Sequence, residues 1–106
     1  MEYKYYFTQK AVNDIEDMLN YISVELCNPT AAKELNSEIF KNIEELSNFP
    51  DMGLLVENEY LADKSVRRIL VNNYTIFYKV FDEEGKIYIL RIVYAKRNFN
   101  EILSSI

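Results

Sequence analysis

The stretch RRILVNNYTIFYKVFDEEGKIYILRIVYAKR, residues 67–97, decides the fold. Its apolar runs are rich in β-branched and aromatic residues, which favour strands. The pair Asn72-Asn73 tolerates positive φ and predicts a tight hairpin turn, and Asp82-Glu83-Glu84-Gly85 predicts a second one. The sequence therefore predicts three consecutive antiparallel strands over residues 66–71, 74–81 and 86–94.

The stretch before this region predicts two helices. Thr8 is a favoured N-cap, and after it apolar residues recur at steps of three and four. Asn28 and Pro29 end this helix and begin the next, because Asn is a favoured cap and Pro a favoured first helical residue. Pro50 stops the second helix. The two apolar stripes are Val12, Ile15, Leu19, Ile22 and Leu26, then Ala32, Leu35, Ile39, Ile43 and Leu46.

The two helices are joined by a short connection, which predicts an antiparallel αα-hairpin whose apolar face covers the sheet. The opposite face of the first helix, which includes Asp14, is expected to be solvated. Residues 2–7 predict a first strand, and residues 54–65 a linking loop. We therefore expect one α+β domain over residues 1–106, in the order β-α-α-β-β-β, with a twisted antiparallel sheet against the hairpin and a helical turn in the tail.

The net charge of −5 is unevenly distributed along the chain. Residues 1–64 carry 5 basic and 13 acidic side chains, a net of −8, whereas residues 65–106 carry 7 basic and 4 acidic ones, a net of +3. This asymmetry hints at an anionic partner for the sheet half. An acidic protein as a whole is nevertheless a poor non-specific nucleic-acid binder, because it lacks long-range attraction to phosphates.

The residues that are absent exclude several kinds of chemistry. There is no histidine, and one cysteine and two glycines cannot supply a metal site or a glycine-rich nucleotide loop. We therefore expect no metal and no cofactor. No apolar run reaches the roughly 20 residues that a membrane helix needs, so no membrane association is expected. The single cysteine and the lack of a signal-peptide pattern indicate a cytoplasmic protein.

Any active group must then be Arg, Lys, Tyr, Asp or Glu. The basic residues of the sheet half can hold phosphates and stabilise a phosphoryl transition state, and tyrosines can stack on bases. A basic strand residue is, however, more often solvated or salt-bridged, and a strand tyrosine more often packs in a half-buried position. The candidates are Arg67, Arg68, Lys79, Arg91, Lys96 and Arg97, with Tyr74, Tyr78, Tyr88 and Tyr94.

The pattern V-R-R-I-L-V-N-N-Y-T-I-F-Y-K-V, an acidic turn and then I-Y-I-L-R-I-V-Y-A-K-R resembles the RelE/ParE superfamily of toxins from type II toxin–antitoxin systems. The helix pair that ends in L-S-N-F-P matches too, so the resemblance covers essentially the whole chain. Its most specific elements are Arg68, the strand from Tyr74 to Tyr78, and Lys96-Arg97. The resemblance implies a bacterial growth inhibitor, of the kind linked to plasmid stabilisation, that a co-encoded antitoxin neutralises by binding across helices and sheet.

Two activities occur in this superfamily. RelE-like members cut mRNA in the ribosomal A site, and ParE-like members poison DNA gyrase without cleaving RNA. Arg68 and Arg97 fall on basic catalytic positions of the RelE-like site, but Val66, Thr75 and Leu103 fall on or near positions where that site has a lysine, an arginine and a tyrosine.

These losses favour a ParE-like gyrase poison, which is not an enzyme. The alternatives are a RelE-like ribosome-dependent mRNA endonuclease and an attenuated or non-enzymatic interaction domain. Arg68 and Arg97 are the catalytic candidates. The candidates for contact with the target, gyrase or the ribosome and its mRNA, are Arg67, Lys79, Tyr94 and Lys96.

Overall fold

The computed structural model describes residues 2–95 and 98–106. Most predicted elements are present, with ends close to those expected. In chain order they are β1 (Lys4–Phe7), α1 (Gln9–Asn20), a π-helical turn (Tyr21–Glu25), α2 (Pro29–Asn48), β2 (Leu54–Leu55), β3 (Arg67–Val71), β4 (Tyr74–Phe81), β5 (Lys86–Tyr94) and α3 (Phe99–Ser104). No described helix combines the length and the apolar composition needed to cross a membrane.

The predicted α+β class is confirmed, and the sheet has the strand order β1-β5-β4-β3-β2. β3, β4 and β5 form the predicted antiparallel meander. Two details differ from the expectation. β1 lies parallel to β5, so the sheet is mixed rather than wholly antiparallel. Leu54 and Leu55, expected in a loop, form a two-residue edge strand beside β3.

The predicted caps hold the helix ends. The Thr8 hydroxyl accepts a hydrogen bond from the Ala11 N–H, and the Asn28 side chain accepts one from the Ala31 N–H. The apolar stripe of the first helix is interrupted at its end, where the chain forms the π-helical turn. A π-turn adds a residue to the helical turn and changes the direction in which the next residues face. Leu26, predicted to be buried in the stripe, is therefore 55% exposed.

The sheet has a hydrophobic cluster on each face. On the inner face, α1 and α2 pack on Ile76, Tyr78, Ile87 and related residues. On the outer face, α3 and the segment of residues 56–66 pack on Phe77 and Val93. Side chains alternate between the two faces along each strand. A strand residue next to one that packs on the inner cluster therefore faces the outer side of the sheet, and the reverse.

A β-bulge in β5 interrupts this alternation. Tyr78 pairs with Ile89 and Phe77 with Arg91, so Leu90 and Arg91 together oppose a single residue of β4. Because of the extra residue, Ile89 and Ile92, three positions apart, both face the inner cluster.

Candidate functional site

Arg68 lies in β3, opposite Leu54 on β2 and Phe77 on β4. Because Phe77 belongs to the outer cluster, the Arg68 side chain also lies on the outer face, as does that of Leu70. Leu54 and Leu70 are 68% and 63% exposed. Within residues 2–95 and 98–106, no carboxylate forms an ion pair with Arg68. We call Leu54, Arg68 and Leu70 the Arg68 surface.

Tyr78 holds the segment that leads into β2, the edge strand that contributes Leu54 to the Arg68 surface. Its side chain is fully buried, and its hydroxyl donates to the Pro50 carbonyl at 2.8 Å and accepts from the Gly53 N–H at 2.9 Å. Burial raises the pKa of the Tyr78 phenol, so it remains protonated and able to donate. One hydroxyl therefore satisfies two backbone groups of the segment that leads into β2.

Gly53 allows this close contact because it has no side chain. A Cβ atom at this position would lie 2.5 Å from the Tyr78 hydroxyl oxygen and 2.7 Å from the backbone carbonyl oxygen of Arg68. Neither separation is compatible with ordinary van der Waals contact. The glycine thus brings β2 next to Arg68.

Arg67 faces the opposite side of the sheet from Arg68. Its guanidinium donates to the Gly53 carbonyl at 2.7 Å and to the Asp51 carbonyl at 3.4 Å, and lies 3.7 Å from the Asp51 carboxylate. These contacts hold the segment before β2. The structure therefore separates the two arginines that the sequence places side by side.

Lys79, another predicted target contact, lies on the outer face and pairs with Asp63. The hydrogen bond from Lys79, together with those from Ser65, lowers the pKa of Asp63 to about 2. The Lys79 ammonium also lies 5.0 Å from the centre of the Phe81 ring. This pair fastens the segment of residues 56–66 to the sheet, and the side chain of Asn58 joins the same segment to Asn100 of α3.

Tyr94 lies on the other face of the sheet. It pairs with Tyr74, which packs against the inner cluster, and the two rings meet edge to face with centroids 5.7 Å apart. Burial raises the pKa of the Tyr74 phenol. Tyr94 and Arg68 therefore do not share a cleft. The remaining two predicted residues, Lys96 and Arg97, lie outside the described residues.

The sequence interpretation missed the ion pair between Asp14 and Arg91. The Asp14 carboxylate, expected to be solvated, accepts from Arg91 Nε at 2.8 Å, from Arg91 Nη2 at 3.0 Å and from the Ile92 N–H at 2.9 Å. Both side chains are about one-sixth exposed or less, and the pair raises the pKa of the guanidinium. Arg91 thus joins α1 to β5.

The described part of the chain offers little else for catalysis. It contains no group of three or more acidic or cysteine side chains arranged to hold a metal ion. A cavity of about 320 Å³ lies between Arg91 and α3, with Glu101 and Ser105 in its wall. The guanidinium of Arg91, in the wall of this cavity, is already paired with Asp14 of α1.

Comparisons with known proteins agree on the fold. A family model described as the ParE toxin of the type II toxin–antitoxin system parDE matches residues 5–99. A structure of the chromosomal ParDE system of P. aeruginosa is similar with a TM-score of 0.71 and 21% identity, over 90% of this chain and 98% of that one. No relative is found among curated protein sequences.

Structures of RelE toxins are also similar. A toxin–antitoxin complex, RelBE2 from Mycobacterium tuberculosis, gives a TM-score of 0.64 and 19% identity, over 89% of this chain and 99% of that one. The isolated E. coli RelE toxin gives 0.61 and 16%, over 97% of both chains. At these identities the likenesses establish the fold that ParE and RelE toxins share.

Proposed function

This chain belongs to the ParE toxin family of type II toxin–antitoxin systems, and from that premise we propose that it arrests growth by binding DNA gyrase rather than by cleaving mRNA. The family is shown by the sequence, whereas the choice of target is our inference. The proposal rests on the surroundings of the one catalytic candidate that the structure describes.

The observation that carries the proposal is the composition of the Arg68 surface. A ribonuclease would need an acid–base group beside Arg68. Tyr94 or a loop glutamate could fill that role in such a site, and Tyr94 lies on the opposite face of the sheet. The exposed neighbours of Arg68 are instead Leu54 and Leu70. An arginine between exposed apolar side chains is typical of the centre of a protein–protein interface. The geometry thus favours a protein target.

We further propose that a cognate antitoxin neutralises the chain in the bacterial cytoplasm. The similar ParDE and RelBE structures come from toxin–antitoxin systems. The chain also exposes several large apolar side chains besides the Arg68 surface, among them Tyr21, Phe49 and Leu55. Apolar area of this kind on a small domain is suited to a tightly bound partner.

The first experiment is a pair of assays with the purified chain. Gyrase supercoiling of a relaxed plasmid should be inhibited, while primer extension on an mRNA translated in a bacterial extract should show an intact message. New breaks inside codons that require ribosomes, with gyrase unaffected, would replace the proposal by the RelE-like alternative.

Variants connect the activity to the surface. Arg68→Glu should weaken gyrase inhibition by roughly tenfold or more, because a charge reversal at the centre of an interface leaves a repulsive, desolvated group there. Lys33→Glu, at an exposed position of α2, makes the same charge change away from the surface and should have little effect. Equal inhibition by the two variants would remove Arg68 from the target contact.

The second basic candidate is tested by growth arrest. Changing Arg68 and Arg97 together to Ala should abolish toxicity if the basic pair carries the activity. A double variant that folds normally, as judged by circular dichroism, and remains fully toxic would contradict that role.

A further inference from the structure

The part of the chain around β2 exposes an unusual amount of apolar surface. Of the twelve large apolar or aromatic side chains that residues 2–95 and 98–106 expose, six lie within residues 49–70: Phe49, Met52, Leu54, Leu55, Tyr60 and Leu70. Leu54 and Leu70 belong to the Arg68 surface, and Leu55 extends the apolar area to the other face of β2. Apolar area concentrated in this way on a small domain marks an interaction site.

The main chain of β2 is open on the side away from β3. Val56 donates its N–H to the Val66 carbonyl, so its N–H points toward β3. Successive residues of an antiparallel ladder direct their backbone groups to opposite sides, so the N–H and carbonyl of Leu55 point away from β3. β2 is the last strand in the order of the sheet, and no described strand meets these groups. An edge strand exposed in this way is a template for pairing with another chain.

The charges along this edge are self-complementary. Arg67 lies opposite Leu55 and extends its guanidinium toward Gly53, whose carbonyl accepts a hydrogen bond from it at 2.7 Å. Its contact with the Asp51 carboxylate is long, at 3.7 Å. Glu57 is exposed, lies on the same face as Leu55, and forms no ion pair within the described ranges. The edge therefore carries a cation toward one end and a carboxylate at the other.

We propose that a second copy of this chain pairs with the β2 edge, antiparallel and about a two-fold axis at Leu55. In this register Leu55 exchanges a pair of main-chain hydrogen bonds with Leu55 of the second copy, and Gly53 lies opposite Glu57 of that copy. Each Glu57 then approaches the Arg67 guanidinium of the other copy, so the symmetry forms the same ion pair twice. The two Arg67 side chains stay three strand spacings apart, roughly 14 Å, and their repulsion is largely screened.

A second copy fits this edge better than an unrelated partner does. It brings a carboxylate and a cation at the spacing that the edge itself has, together with the matching leucine. An isologous contact needs this kind of self-complementarity, because the same patch serves on both sides. The charge pattern of the edge thus selects the occupant, which the apolar side chains alone do not.

This pairing regulates access to the Arg68 surface. Leu54, the member of that surface on β2, comes to lie beside Val56 of the second copy. The dimer and the proposed gyrase complex therefore exclude each other, a consequence that rests on the proposed function, whereas the pairing itself does not. A contact with few main-chain hydrogen bonds and a small apolar area is weak, so dilution releases a monomer that is free to bind its target.

The test measures self-association of the purified full chain by sedimentation velocity. Between about 5 and 500 µM the chain should shift from monomer to dimer, as expected for a small interface. Glu57→Lys should raise the dissociation constant of the dimer by roughly tenfold or more, because it places an ammonium beside the Arg67 guanidinium of the second copy. The matched control, Glu44→Lys at an exposed position of α2, makes the same charge change and should stay within about threefold.

Amide hydrogen exchange locates the contact without any variant. The Leu55 amide should gain protection as the concentration of the chain rises through the range in which the dimer forms. A chain that stays monomeric up to about 500 µM would overturn the inference. A dimer that forms without protection at Leu55, and equally well in both variants, would also overturn it. Protection of Leu55 that appears only when gyrase or an antitoxin is added would assign the edge to that partner instead.

Gyrase inhibition separates the inference from the proposed function. At concentrations where the wild type is dimeric, Glu57→Lys should inhibit supercoiling more strongly than the wild type, because more of it is monomeric. Equal inhibition by the two chains would overturn the regulatory role of the pairing. If the wild type failed to inhibit gyrase even as a monomer, the proposed function would fail, while a dimer that Glu57→Lys weakens would still support the pairing.

Discussion

The contact between Gly53 and Tyr78 gives the sharpest test of how the Arg68 surface is held. Tyr78→Phe removes the hydroxyl that satisfies the Gly53 N–H and the Pro50 carbonyl. Leaving buried backbone groups without partners costs about 1–3 kcal/mol, so we expect a loss of about 2 kcal/mol. With an unfolding entropy of about 2.1 cal/mol/K per residue, this lowers the Tm by about 9 °C.

Gly53→Ala affects the same contact from the other side. The new Cβ atom would lie 2.5 Å from the Tyr78 hydroxyl oxygen and 2.7 Å from the Arg68 carbonyl oxygen. Relieving such overlap by backbone shifts costs about 1–3 kcal/mol. In the double variant the hydroxyl is gone, so the shortest overlap disappears, while those with the Arg68 carbonyl oxygen and, at 2.9 Å, with a carbon of the residue-78 ring remain. The double variant should therefore lose about 1 kcal/mol less than the sum of the single losses.

Urea and thermal unfolding followed by circular dichroism measure all three variants. Tyr5→Phe is the matched control, because Tyr5 is half-buried and its hydroxyl has no hydrogen bond within the described residues; it should change the free energy of unfolding by less than about 0.5 kcal/mol. Strict additivity of the two changes, or a Tyr78→Phe loss as small as that of the control, would show that the hydroxyl does not hold this segment.

Three further changes test other contacts. Asp14→Asn should cost about 2–3 kcal/mol in urea unfolding, because it leaves the largely buried Arg91 guanidinium without its counter-ion; a loss under about 0.5 kcal/mol would contradict a structural role. The pKa of Asp63 is lowered to about 2 by Lys79, so its contribution to stability is present above about pH 4 and lost toward pH 2. The Tm difference between wild type and Asp63→Asn should accordingly shrink across that range, and a constant difference would contradict the pairing. Lys4→Glu should raise the Tm of the free chain by pairing with Lys86, the residue opposite; a lowered Tm would show that the two lysines do not repel each other.

The local signals in the sequence were reliable where the structure depends on near neighbours. Thr8 and Asn28 cap their helices as predicted, and Asn72 has a φ of 54° in the predicted hairpin turn. Each of these features is decided by residues within a few positions of it. The apolar periodicity likewise identified the face of α2 that packs against the sheet.

Features that join distant parts of the chain were not predictable in the same way. The direction of β1 relative to β5 depends on how the helices between them pack on the sheet. A short aromatic strand carries no sequence signal for parallel pairing. Asp14 has the spacing of a solvated helix residue, but its partner Arg91 lies 77 positions away. Gly53 is explained by the approach of Tyr78, 25 positions along the chain, which no local pattern around the glycine indicates.

The candidate site shows the same limit. Strand alternation alone implies that Arg67 and Arg68 face opposite sides of the sheet, but only the packing shows which side is the outer one. The ion pair of Lys79 was foreseen only as the general tendency of basic strand residues to be salt-bridged. Its partner Asp63 lies in a segment without regular periodicity, where sequence patterns are weakest.

The pairing of β1 with β5 also governs when this protein can fold during its synthesis. β1 is made first but pairs with β5, the last strand, and the Thr8 hydroxyl donates to the Leu90 carbonyl, 82 residues later in the chain. Contacts between such distant residues form slowly, because a long loop must close first. A nascent chain cannot complete the sheet until β5 has left the ribosome, so prematurely terminated translation products should be harmless. β1 of the growing chain is thereby left without its partner strand through most of translation.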